Sequence, residues 1–101
     1  MVRIFRNSGK GGNGEFVIQT TCLDADTYLF ELAEALSGAM DKIAADDRET
    51  SILSILQNAM PLSYKLSGYK ADGVSEQRTL VCGSVSPESC EHIFSVRLDA
   101  K

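Results

Sequence analysis

At 101 residues the chain is sized for a single domain spanning 1–101. Its 44% apolar and 24% charged residues match globular proteins and exclude a disordered chain, and no apolar run approaches the roughly 18 residues of a membrane-spanning helix. A formal charge of −4 counts against a general nucleic-acid binder, whose affinity comes largely from neutralising phosphates.

Residues 2–7 alternate, with Val2 and Ile4 on one face and Arg3 and Phe5 on the other. Residues 15–22 do the same, Phe16, Ile18 and Thr20 opposing Val17, Gln19 and Thr21. Asn7-Ser8-Gly9-Lys10-Gly11-Gly12-Asn13-Gly14 lies between them, so the two runs read as a β-hairpin with a Gly/Asn loop. The charged start, Met1 to Arg6, offers no apolar segment of the secretory kind. With three cysteines, an odd number, the thiols are expected to be reduced and the protein cytoplasmic.

Asp24 is placed to cap a helix, with Leu23 and Tyr28 spaced as a hydrophobic staple. Leu29, Leu32, Leu36, Met40 and Ile43 form its apolar stripe. Ala33, Ala35, Gly38 and Ala39 are small enough to let a neighbouring element approach closely. Gly38 costs about 1 kcal/mol relative to Ala in a helix, which points to a packing reason for it. Asp46-Asp47-Arg48-Glu49 interrupts the stripe. A second helix carried by Ile52, Leu53, Ile55, Leu56, Ala59 and Met60 follows, expected to stop at Pro61. One long bent helix over 24–60 is the alternative.

Beyond Pro61 the period becomes two: Leu62, Tyr64 and Leu66 alternate with Ser63, Lys65 and Ser67, predicting a half-buried strand. Asp72-Gly73 signals a turn, residues 76–85 a further strand, and Ser86-Pro87 the start of a short helical turn. His92, Phe94, Val96 and Leu98 alternate with Ile93, Ser95 and Arg97 in a last strand. The order β-β-α-α-β-β-β predicts an α+β fold: a two-layer sandwich of a mainly antiparallel five-stranded sheet with helices on one face. Residues 24–50 hold eight acids and two bases, so the helical layer is acidic.

Few residues suggest chemistry. Lys10-Gly11-Gly12-Asn13-Gly14 resembles the opening of the deviant phosphate loop of ParA/MinD-type ATPases. There, however, a Lys, a hydroxyl residue and a helix follow, whereas here Glu15, Phe16 and a strand do, which removes the resemblance. Cys82, Cys90 and His92 form a Cys-x7-Cys-x-His run that lacks the paired ligand spacing of a structural zinc site and the orienting third group of a Cys–His nucleophile. Asp24/Asp26 and Asp46/Asp47 stand where helix caps are wanted. No cofactor or metal is implied.

The sheet face turned away from the helices is expected to show Arg3, Phe5, Val17, Lys65, Ile93 and Arg97, three apolar groups among basic ones. An uncovered face of this kind can serve a partner. The leading expectation is therefore a non-enzymatic protein–protein binding or inhibitor module. It would act through the sheet face or the acidic helices, on another protein or on a second copy of itself as a homodimer. The alternative is a small-molecule or metal-binding protein or enzyme with its site near Cys82, Cys90 and His92. A nucleic-acid binder using Arg3, Lys10, Lys65 and Arg97 comes third.

Overall fold

The computed structural model describes residues 1–7, 15–71 and 79–97. Strands β1 (Val2–Arg6) and β2 (Phe16–Thr20) pair antiparallel, with Ile4 opposite Ile18 and Phe5 opposite Val17. This is the hairpin that the alternation predicts. Its closing bond runs from Asn7 N to Glu15 O (2.8 Å), and the loop tip, 8–14, lies outside the described residues.

Helix α1 (Ala25–Met40) starts at the predicted cap: Asp24 accepts from the Thr27 backbone N–H at 2.8 Å and from the Thr27 hydroxyl at 2.9 Å. Tyr28 is buried, while Leu23 stays 41% exposed. The buried stripe of α1 is Tyr28, Leu32, Ala35 and Ala39, rotated from the leucine row so that Leu29 is left 40% exposed. A short 3-10 turn (Ala45–Asp47) leads into α2 (Arg48–Ala71), so the helical region is two helices and not one. Asp46 and Asp47 fall inside that turn. Arg48 joins the helices: its Nε donates to the carbonyls of Met40 (3.0 Å), at the end of α1, and of Ile43 (3.2 Å), in the connection.

The predicted strand over 62–67 is corrected, because α2 passes through Pro61 and carries this segment as helix. Leu62 and Leu66 satisfy a period of two but also extend a helical row, and Ser51, Ile55, Ala59, Leu62 and Leu66 are all buried along one face. Tyr64, which only the strand pattern would bury, is 77% exposed. Of the turn expected around 70–73, Lys70 and Ala71 are helical, and Asp72 and Gly73 lie outside the described residues.

Of the expected run at 76–85, β3 (Leu80–Cys82) is a strand; residues 76–78 are outside the described region. Pro87–Ser89 forms the expected short turn, with the Ser86 hydroxyl accepting from the Glu88 backbone N–H. Strand β4 (Glu91–Val96) closes the fold. The described sheet therefore has four antiparallel strands and not five, in the order β3-β2-β1-β4.

Helix α1 packs on β1 and β4, and α2 on β2 and β3. Their inward rows meet Val2, Ile4, Phe16 and Ile18 in one core. Tyr28 ties the helices together: its hydroxyl donates to the Ala59 carbonyl, so the start of α1 lies beside the middle of α2, and with the end of α1 held by Arg48 at the start of α2 the helices run antiparallel. Gly38 has the packing reason expected of it, since a Cβ built there would overlap the ring of Phe94. The α+β class and the one-sided helical layer match the sequence reading.

Candidate interaction surface

The six residues expected to share an open sheet face do not share a surface. Arg3 and Arg97 are exposed. Lys65 is exposed on α2, in the helical layer. Val17, Phe5 and Ile93 are buried, at 0%, 9% and 9% exposure.

Two features account for this burial. The connection 83–90 must cross from β3 at one edge of the sheet to β4 at the other. It does so against the outer face, at the hairpin end. Gly83, at φ 151°, lies so close to Val17 that a Cβ there would come within 2.7 Å of Val17 Cγ2. The Pro87–Ser89 turn packs on β2, and Ser84 donates its hydroxyl to Glu15 Oε1. The second feature is a bulge. In the β1–β4 ladder Ile4 pairs with Phe94 but Phe5 pairs with His92, so Ile93 is an extra residue in β4. The bulge resets the alternation, places Ile93 in the core beside Phe94, and brings His92 over Phe5, ring centroids 5.5 Å apart at 74°. What remains open on this face is mainly polar: Arg3 and Ser95 are exposed and Gln19 is half-buried, with Val81 of β3 paired beside Gln19 at 37% exposure.

Cys82, Cys90 and His92 do not converge. Cys82 is on β3 and packs against the core, whereas His92 is on β4 on the opposite face. Three strand spacings separate them, roughly 14 Å. The Cys90 thiol is held by its own turn, donating to the Ser86 carbonyl at 3.4 Å. Among the described residues no three His, Cys, Asp or Glu side chains are grouped to hold a metal ion.

One polar cluster had no sequence signal. Glu31 reads as part of the acidic solvated face of α1, yet it is only 2% exposed. Its Oε1 lies 2.7 Å from the Met1 ammonium and accepts from the Cys22 thiol at 3.1 Å. The same corner holds Thr20, whose hydroxyl donates to the Met1 carbonyl (2.8 Å) and accepts from the Cys22 N–H (3.1 Å). Burial, reinforced by the neighbouring Glu31 carboxylate, raises the Cys22 pKa above the ordinary 9.0 even though Thr20 and the ammonium oppose it. A thiol so held stays protonated at neutral pH, which suits a structural bridge and not a nucleophile.

Most of the exposed large apolar side chains described lie on the helices: Phe30 at 66%, Leu53 at 59%, Tyr64 at 77%, Leu29 at 40% and Met60 at 39%, whereas Leu23 precedes α1 and Val81 is on β3. Their spacing is helical. Asp26, Phe30, Glu34, Ser37 and Asp41 step along α1 at four, four, three and four residues, and all are exposed. Glu49, Leu53, Gln57, Met60 and Tyr64 step along α2 at four, four, three and four, and all are exposed. Each row points away from the sheet, because two residues from an inward position turn a side chain through about 200°. With the helices antiparallel, the Tyr28–Ala59 bond sets Phe30 about level with Gln57, between Leu53 and Met60 of the neighbouring helix. The outer surface of the helical layer is therefore two apolar and acidic rows side by side, with no lysine or arginine in either. Among the described residues none of the four carboxylates at 26, 34, 41 and 49 is in an ion pair.

No protein-family model, no curated protein and no solved structure matches this chain.

Proposed function

We propose that this protein is a small non-enzymatic binding module that engages another protein through the outer face of its helical layer. The observation that carries the proposal is the double row described above. Single exposed apolar residues are ordinary on a protein surface, but an aromatic pair and two aliphatic side chains aligned on adjacent helices form a patch of the kind that marks an interaction site. Tyr64 and Phe30 are its natural anchors, since aromatic side chains dominate binding energy where they can be desolvated by a partner. The covering of Phe5 and Val17 and the burial of Ile93 move the weight of the proposal from the sheet to the helices. A cytoplasmic setting accords with three unpaired thiols.

The test is affinity capture from host cytosol with three forms of the protein: wild type, Phe30→Ser/Tyr64→Ser, and Arg3→Glu/Arg97→Glu. The proposal expects a discrete partner with the wild type and with the sheet-face variant. The helix-face variant should lose it while keeping the wild-type melting temperature within about 2 °C, since these side chains are exposed. Capture that survives in the helix-face variant and fails in the sheet-face variant would move the site to Arg3 and Arg97.

A further inference from the structure

The charge on the same surface restricts what can dock there. On α1, Asp26, Glu34 and Asp41 bracket Phe30; on α2, Glu49 stands one turn before Leu53. Four carboxylates border four apolar side chains, and the bases nearest in sequence, Lys42, Arg48 and Lys65, fall off both rows. Arg48 is moreover turned back onto the carbonyls of Met40 and Ile43. A second copy presenting this face would bring like charges together, which costs association free energy. An anionic bilayer surface would be repelled for the same reason. The complement is an apolar row flanked by positive charge.

We propose that the helical layer binds a basic amphipathic segment of a partner protein, a helix whose leucine-like anchors enter the surface between Phe30, Leu53, Met60 and Tyr64 while its lysines or arginines meet Asp26, Glu34, Asp41 and Glu49. This rests on the reading of the helical layer as the binding face and adds the chemistry of the partner. Helix-on-helix docking through anchors at i, i+3, i+4 and i+7 is an established mode of recognition. The carboxylates contribute mainly to the rate of encounter and to the rejection of acidic or neutral partners.

The experiment uses three fluorescein-labelled synthetic peptides about four turns long: a Lys/Leu amphipathic helix, the same helix with Glu replacing every Lys, and a scrambled Lys/Leu sequence. Binding to the intact protein is followed by anisotropy at low and high salt. The Lys/Leu helix should bind, at least tenfold tighter than either control. Its affinity should fall at least tenfold in Phe30→Ser/Tyr64→Ser, and severalfold in Asp26→Asn/Glu34→Gln/Glu49→Gln or at high salt. Equal binding of the Lys and Glu helices, both lost in the apolar variant, would overturn the charge assignment and leave the face itself standing. Lys/Leu binding that both variants leave untouched would overturn the location as well. Binding of the scrambled peptide equal to that of the helix would reduce the interaction to net charge and contradict docking. No binding by any peptide would overturn the assignment of a basic helix, and the capture of a partner with the Phe30/Tyr64 variant would then judge the face independently.

Discussion

A carboxylate at position 31 would normally need water, and its burial is tolerable because its partner arrives from the other end of the first hairpin. The Met1 ammonium at 2.7 Å and the Cys22 thiol at 3.1 Å supply the charge and the hydrogen bond that water would have supplied. Glu31→Ala is expected to lower stability by about 3 kcal/mol, read as a shift in the urea midpoint, because it leaves an ammonium facing the core. The neighbouring protonated groups set a pH dependence. Burial raises the pKa of Cys22 above 9.0 and that of Tyr28 above 10.0, the latter aided by the nearby thiols. In the folded state both keep their protons to higher pH than they do in the unfolded chain. Their stabilisation is therefore complete below about pH 9 and is lost as the pH rises through the unfolded values toward the folded ones. Urea midpoints should fall from neutral pH to about pH 10.5, and Cys22→Ala/Tyr28→Phe should flatten that fall. Gly38→Ala is a third test at this scale: the better helix propensity of Ala, worth about 1 kcal/mol, is outweighed by overlap with Phe94. The substitution should destabilise the wild type by roughly 1 kcal/mol and become stabilising when Phe94→Leu makes room. The local roles of Asp24 and Gly38 were legible in the sequence because a cap and a close approach are short-range features. Glu31 was not, because nothing within its own helix distinguishes it from Glu34, which is exposed.

At the scale of elements, α2 and β4 show where a periodic pattern misleads. Leu62 and Leu66 are four apart and fit a strand face and a helix face equally well; the helix is favoured because Ser51, Ile55 and Ala59 already define a buried row that they continue. Proline at 61 should have ended that row. It is tolerated on the exposed side, where the carbonyl it leaves without an N–H partner, that of exposed Gln57, can bond to water. Pro61→Ala is accordingly expected to raise stability by about 1–3 kcal/mol and to increase the melting temperature with no change of fold. In β4 the inserted Ile93 inverts the faces of everything before it, so His92 leaves the predicted apolar face and Ile93 joins the core. A bulge is invisible to alternation because it arises from the pairing partner. The same bulge bends an edge strand and so discourages strand addition there.

Across the whole molecule, two layers divide the surface into unlike halves. The sheet's outer side is partly sealed by the 83–90 crossing and its open part is mainly polar, with Val81 alone among the described residues as an exposed large apolar side chain there. The helices' outer side carries Phe30, Leu53, Met60 and Tyr64 between carboxylates. The hairpin, both helices and the one-sided layering could be read from the sequence, as could an acidic helical layer. The crossing could not, because strand order decides which edge each connection must reach. That is why Phe5 and Val17 read as exposed and are buried. The most direct test of the central claim is photo-crosslinking in living host cells, with benzoylphenylalanine placed at Tyr64 in one form of the protein and at Arg3 in another. The account predicts a single dominant adduct from position 64, suppressed by Phe30→Ser, and none from position 3. An adduct from position 3 with none from position 64 would contradict it.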